Sequence, residues 1–179
     1  MFRRYERVVN NHARKGGDTV NEKEEQLLKW CREAFDNPAW KPIADNPATA
    51  VNERTTFCNQ AVNFIAQKFG YTKFAGLMAN QMISLMAMDH LNWVSVSMKE
   101  AQEKANAGGL AILGYAEVPH GHVAVVRPGD AVPSGKWNDV APMIVNIGAQ
   151  NSWDKTANYI FKTKPAAWCL DTEAKEASS

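Results

Sequence analysis

The stretch TTFCNQAVNFIAQKFGY, residues 55–71, decides how the chain folds. Its apolar residues recur at intervals of three and four, which predicts an amphipathic helix with one buried face. We expect Thr55 or Thr56 to cap the start of this helix and Gly70 to end it. Cys58 then lies in the first turn, where backbone N–H groups and the helix dipole favour a thiolate. The stretch therefore predicts a nucleophile, provided that a base lies near it in space.

The size and charge of the chain limit its architecture and its partners. With 179 residues, of which 45% are apolar, it is long enough for one domain with a substantial core. Basic and acidic residues number 20 and 19, so no global field attracts nucleic acid or acidic lipid. We predict one domain over residues 1–179, with a helical extension at 1–50, a core at 51–165 and a frayed tail at 171–179.

Two features bear on where the protein is made. No stretch approaches the ~20 apolar residues that a membrane helix needs, so we expect no membrane insertion. The basic start of the chain, residues 1–5, has no apolar segment after it, which argues against a cleaved signal peptide. We therefore expect synthesis in the cytoplasm, and any action outside it requires a separate delivery route.

The cysteines limit the chemistry that the chain can use. Cys31, Cys58 and Cys169 are too few and too scattered for a disulfide scaffold or for a zinc site built from close cysteine pairs. Chemistry at Cys58 with a nearby base needs no metal and no other cofactor. We therefore expect neither.

The order of the predicted elements indicates an α+β domain. Helical periodicity fills the first part of the chain, and short apolar runs replace it after Gly108-Gly109. Helices followed by strands favour N-terminal helices packed on a C-terminal antiparallel sheet. The predicted helices cover 21–35, 58–69, 76–86 and 98–107, and the predicted strands cover 110–116, 122–127, 143–148 and 159–163.

A thiol nucleophile needs a base that takes its proton, and histidine is suited to this because it titrates near neutrality. The four histidines are His12, His90, His120 and His122. His122 is the best candidate, because it opens a strand next to Gly121, where a side chain can project from the sheet edge toward a helix terminus. His120 lies in the turn itself, which favours an exposed position.

The base in turn needs a partner that fixes its tautomer. Asn146 is a polar residue inside an otherwise apolar strand, and a buried amide there requires hydrogen-bond partners. It can accept from one nitrogen of His122 and leave the other nitrogen facing the thiol. Gln150, Asn151 and Asp139 remain alternatives for this third position.

Attack of the thiol on a carbonyl creates an oxyanion that needs hydrogen-bond donors. The backbone N–H of Cys58, at the helix start, is one donor. The second donor could come from Asn52, Thr55 or Thr56, and the sequence does not distinguish these three.

Five blocks of the chain carry a family resemblance. They are TFCNQAV at 56–62, GLMAN at 76–80, AQEKANAG at 101–108, GHVAVV at 121–126 and VNIGAQN at 145–151. Together they resemble the NlpC/P60 and CHAP superfamily of papain-like peptidoglycan hydrolases. The resemblance spans about residues 50–163 and is strongest in the Cys and Gly-His blocks. The Cys58-Asn59 pair and the Ala-Asn-x-Gly sequence at 105–108 are similar to phage lysins and to type VI secretion amidase effectors.

This resemblance implies a papain-like fold in which Cys58 is the nucleophile and His122 the base. The third member is then a polar residue on the following strand, although many relatives carry an acid or a histidine where this chain has Asn146. The implied substrate is an amide bond in a stem peptide or cross-link of the bacterial cell wall. The implied site of action is the periplasm or wall, after delivery through a phage holin or a secretion machine. A secreted effector of this kind usually has an immunity protein that blocks the groove.

Two other function classes fit the same residues. A thiol protease, deamidase or acyltransferase acting on protein would use the same pair, Cys58 and His122. A binding module or virion structural protein would keep the fold without catalysis, and Cys58 would then be an ordinary core residue.

Overall fold

The computed structural model describes residues 21–41 and 56–171. Predictions for residues 1–20, Asn52, Thr55 and the tail at 172–179 lie outside these ranges. The helices are α1 (Glu22–Asp36), α2 (Cys58–Lys68), α3 (Ala79–Met88), α4 (Met98–Asn106) and α5 (Ala157–Ile160), with a 3-10 turn at Pro38–Trp40. The strands are β1 (Trp93–Val96), β2 (Ala111–Tyr115), β3 (His122–Val126), β4 (Val132–Ser134), β5 (Asp139–Ala141), β6 (Ile144–Val145) and β7 (Ala166–Leu170).

The structure is mixed α+β with an antiparallel sheet. Five strands pair in the order β1-β7-β2-β3-β6, and β4 and β5 form a separate hairpin. Residues from α1 to α4 and from the sheet share one hydrophobic core. The predicted strand pair is confirmed as β2 and β3, whose last register pair joins Tyr115 to His122. Within residues 21–41 and 56–171, no helix combines the length and apolar character needed to cross a bilayer.

The predicted central helix is confirmed, but the prediction for its cap is wrong. Helix α2 begins at Cys58 and ends at Lys68, and Gly70 follows with the positive φ of 75° that glycine adopts without strain. The cap position is held by Phe57, which makes no side-chain hydrogen bond to the helix. Thr56 is therefore not the cap, and its hydroxyl instead acts on the Cys58 thiol, whose pKa it lowers.

Two strand predictions at the end of the chain need correction. The segment predicted as a strand at 159–163 is instead the short helix α5 followed by Phe161, whose backbone N–H bonds the carbonyl of Ala157. The strand that completes the sheet is β7, which pairs with β1 on one side and β2 on the other. The strand predicted at 143–148 is only the two-residue β6, because Asn146 leaves the β3 ladder and forms a bridge with Ser152. The sequence also did not predict β1, β4 or β5.

Candidate active site

Cys58 lies where the start of α2 meets the start of β3. It is the first residue of its helix and only 5% exposed. The backbone N–H of Val123 donates a hydrogen bond to its thiol. Since Val123 follows His122 directly in β3, the thiol sits beside the chain position that carries the predicted base.

The hydrogen bonds around Cys58 oppose the effect of its burial. Burial raises the pKa of the Cys58 thiol, while N–H groups of Val123, Asn59 and Cys58 itself and the Thr56 hydroxyl lower it. Burial outweighs these donors, so the resting group is a neutral thiol. The backbone N–H groups at the helix start do lower the pKa of Cys58, as predicted, but burial has the larger effect and keeps the thiol neutral.

The other two thiols lack such a set of donors. Burial raises the pKa of Cys31 to about 12 and that of Cys169 to about 11, opposed only by the charges of Arg127 and Lys104 respectively. All three cysteines are free and buried. Cys58 is therefore the thiol whose surroundings best support a developing negative charge.

His122 is held by Asn146 in one defined tautomer. The Nε2 atom of His122 lies 2.7 Å from Oδ1 of Asn146, and Nδ2 of Asn146 donates to the backbone carbonyl of Gln150 at 2.7 Å. Because the amide N–H must face that carbonyl, the amide oxygen faces the imidazole and can only accept. The Nε2 atom of His122 therefore carries the proton, and Nδ1 keeps the lone pair that can receive another.

Apolar and backbone groups enclose the imidazole. The rings of His122 and Phe161 have centroids 5.2 Å apart, and Phe161 is 4% exposed. A Cβ at Gly148 would lie 3.3 Å from Cε1 of His122, so the 146–151 loop approaches the ring closely. Burial lowers the pKa of His122, and the bond to Asn146 opposes it only in part. His122 is therefore neutral near neutral pH.

Sequence reasoning missed both of these neighbours of His122. No role was predicted for Gly148 in the block VNIGAQN. A glycine beside a strand can indicate that another group packs closely against its backbone, and this was the signal that could have found it. Phe161 was predicted to lie in a strand that does not form, so no sequence pattern indicated its contact with the imidazole.

The alternatives to Asn146 have other partners. The Gln150 side chain is exposed, and only its backbone carbonyl belongs to the network. The Asn151 side chain accepts from the N–H of Gly148 and donates to the carbonyl of Trp40. Asp139 pairs with Lys164, and this contact contributes to lowering the pKa of its carboxyl. Of the four candidates, Asn146 alone is hydrogen-bonded to His122 in the part of the chain that the structure describes.

The structure also gives the positions of two other histidines and of one predicted oxyanion donor. His90 and His120 are exposed, and His12 lies outside the described ranges. Among the three predicted second donors, Thr56 is the one whose position is described, and its hydroxyl lowers the pKa of the thiol. No group of three or more His, Cys, Asp or Glu side chains at 21–41 and 56–171 is arranged to hold a metal ion.

If Cys58 and His122 act as nucleophile and base, replacing Asn146 by alanine is expected to lower kcat on the order of 10²-fold, since His122 loses the bond that sets its tautomer and ring orientation. Removing a buried partner also leaves Nε2 unsatisfied, so the free energy of unfolding should fall by about 1–3 kcal/mol. Steady-state kinetics and denaturant unfolding measure the two effects. The matched control is Gln150→Ala, which keeps the backbone carbonyl that Asn146 uses. Loss of activity in Gln150→Ala but not in Asn146→Ala would show that Asn146 is not the third member of the site.

No protein-family model and no curated protein sequence matches this chain.

Proposed function

We propose that the chain is a papain-like cysteine hydrolase that cleaves an amide bond in bacterial cell-wall peptide. The observation that carries this proposal is the His122–Asn146 pair, 2.7 Å apart, beside a thiol that the Val123 N–H contacts. This arrangement supplies a nucleophile, a base with its free nitrogen defined, and an orienting amide, which are the three groups that acyl transfer to sulfur needs.

The first half of the reaction forms an acyl-enzyme. As Sγ of Cys58 attacks the carbonyl carbon, its proton moves to Nδ1 of His122, and the carbonyl oxygen becomes an oxyanion. The imidazolium then gives that proton to the leaving nitrogen while the C–N bond breaks. The products of this half are a free amine and a thioester on Cys58.

The second half releases the acid. Neutral His122 takes a proton from water at Nδ1, and the hydroxide oxygen adds to the thioester carbon. Collapse of this second oxyanion breaks the C–S bond, and the sulfur recovers its proton from the imidazolium. Asn146 keeps Nε2 protonated throughout, so the ring exchanges protons only at Nδ1.

In this mechanism the backbone N–H groups at the start of α2 stabilise the oxyanion. The first bond of the helix ladder runs from the N–H of Ala61 to the carbonyl of Phe57, so the preceding N–H groups have no acceptor within the helix. Those of Cys58 and Asn59 already face the thiol. The Thr56 hydroxyl is our candidate for the further donor, because it reaches the same sulfur.

The substrate class rests on the five sequence blocks that resemble NlpC/P60 and CHAP hydrolases. Three of these blocks carry Cys58, His122 and Asn146. On this proposal the enzyme acts on a stem peptide or cross-link in the periplasm or wall after holin-dependent or secretion-dependent delivery. If it is a secreted effector, an immunity protein is its expected partner.

The test is digestion of purified peptidoglycan sacculi, with the soluble fragments identified by mass spectrometry. We expect new amine and carboxyl termini at one type of amide bond, and none from protein alkylated at Cys58 beforehand. A protein substrate cleaved or deamidated in place of sacculi would support the thiol protease or deamidase alternative. Equal fragment profiles from native and alkylated protein would exclude a thiol hydrolase.

The dependence of kcat/KM on pH should reflect a neutral thiol–imidazole pair. Protonation of His122 removes the lone pair at Nδ1, and burial lowers its pKa below the usual 6.5, so activity should persist into mildly acidic solution. Burial raises the pKa of Cys58 above 9.0, so deprotonation of the thiol should not limit the rate near neutral pH. A pH titration of the initial rate measures both limbs. An acidic limb centred above 6.5 would contradict the assignment of His122 as a half-buried neutral base.

A further inference from the structure

The start of α3 is tied to the residue that follows the nucleophile. Nδ2 of Asn59 donates to the backbone carbonyl of Leu77 at 2.9 Å, and it lies 3.9 Å from Sδ of Met78. These contacts connect the first turn of α2 to the two residues that precede α3. Asn59 thus fixes the distance between Cys58 and the start of α3.

The same end of α3 is tied to the segment that precedes the base. Nδ2 of Asn80 donates to the carbonyl of Glu117 at 2.9 Å, and the N–H of Glu117 lies 3.4 Å from Oδ1 of Asn80. The Asn80 amide also lies against the backbone of Gly121, where a Cβ would be 2.1 Å from Oδ1 and 2.8 Å from the carbonyl of Tyr115. Only glycine allows this approach next to His122.

The Asn80–Glu117 hydrogen bonds hold a segment that the β2–β3 strand pairing does not reach. The pairing between β2 and β3 ends at Tyr115 and His122, so residues 116–121 lie outside it. One turn further along α3, Ile83 approaches β2 so closely that a Cβ at Gly114 would lie 2.7 Å from its Cγ1. Asn80 and Ile83 are three residues apart and therefore lie on one face of the helix, which rests directly on the hairpin.

We propose that Asn59 and Asn80 are positioning residues, and that the start of α3 between them is a spacer that sets the separation of the Cys58 thiol and the His122 imidazole. The inference rests on the proposed function, because proton transfer from Sγ to Nδ1 requires hydrogen-bond reach. It also gives a role to the conspicuous sequence blocks around the Cys58-Asn59 pair and Ala79-Asn80. Neither asparagine touches the reacting atoms through its own side-chain amide.

The experiment compares Asn59→Ala, Asn80→Ala and the double variant. We expect each single change to lower kcat by on the order of 10- to 100-fold while KM stays within about twofold, because the spacer positions catalytic groups and does not bind substrate. The double variant should lose less than the product of the two single losses, since breaking either tie releases the same spacer. The matched control is Asn63→Ala on α2, whose side chain accepts from Gln67 and, among residues 21–41 and 56–171, makes no contact with α3 or β3 through a hydrogen bond.

A second readout needs no substrate. The rate at which iodoacetamide alkylates Cys58 near neutral pH depends on proton transfer to His122, so it should fall in both single variants. In both variants the alkylation rate should then rise with pH only where the thiol ionises without help from His122. If Asn80→Ala does not fold, Asn80→Asp serves instead, because it keeps the shape but removes the N–H that donates to Glu117.

The outcomes separate the two proposals. If wild-type protein releases nothing from sacculi, the proposed function fails, and the alkylation profiles still decide whether the spacer exists. If kcat and the alkylation profile of both asparagine variants match Asn63→Ala, while only the thermal midpoint falls, the two residues are merely structural and the inference is wrong.

Discussion

Replacing Cys58 by alanine is expected to lower hydrolysis by on the order of 10⁴- to 10⁶-fold, because no acyl-enzyme can form without the sulfur. The effect on stability should be modest. The substitution removes one buried atom, which costs about 1 kcal/mol or less, and it also takes the sulfur acceptor from the Val123 N–H, which adds about 1–3 kcal/mol if that group stays unsatisfied. Initial rates of fragment release and denaturant unfolding measure the two quantities on the same preparation.

The control for this prediction is Cys169→Ala. Cys169 is also a buried thiol, but it lies in β7 between the ladders of β1 and β2. Its removal should leave activity within about twofold of wild type, provided that the protein remains folded. Activity in Cys58→Ala comparable to that of Cys169→Ala would mean that the hydrolysis, if present, uses another nucleophile. If wild type and both variants release no fragments, a binding module in which Cys58 is an ordinary core residue is favoured instead.

The parts of the fold that the sequence predicted depend on local patterns. The helix at Cys58–Lys68 follows from apolar residues three and four apart, and Gly70 ends it through a backbone angle that needs no distant partner. The β2–β3 pair follows from two apolar runs close together in the chain. In both cases the interacting residues are near neighbours, so the pattern contains the whole reason for the structure.

The end of the chain shows why the rest escaped prediction. The run at 159–163 contains β-formers, but Phe161 is held in a turn by its bond to Ala157. The segment at 166–170 forms the strand between β1 and β2, and both partners lie far away in sequence. Which short apolar run fills that position is decided by tertiary pairing and burial, because β-propensity is weak and context-dependent.

The candidate site divides in the same way. Sequence patterns nominated Cys58, His122 and Asn146, and the structure brings the last two within 2.7 Å and the first beside the N–H of Val123. The charge state was not predictable. It depends on burial of the imidazole, to which Phe161 and the approach of Gly148 contribute, and these contacts arise only in the folded chain.

His122→Ala is the second substitution from which we expect a large effect. It should lower kcat on the order of 10²- to 10⁴-fold, because the sulfur loses its proton acceptor and the leaving amine loses its proton donor. The variant leaves Oδ1 of Asn146 buried without a partner, so its free energy of unfolding should fall by about 1–3 kcal/mol. Rates must therefore be compared at a temperature where unfolding curves show the variant to be native.

Chemical rescue separates the loss of a base from the loss of structure. The cavity left by the ring lies between Phe161 and the backbone of Gly148, so added imidazole has a place beside the thiol. We expect added imidazole to restore part of the rate, with a pH dependence that follows the pKa of the added base. The control is His120→Ala, an exposed histidine two residues away, which should retain wild-type rates. An equal loss in His120→Ala, or full activity in His122→Ala, would show that another group is the base. Asn146 would then have no role in catalysis through its bond to His122.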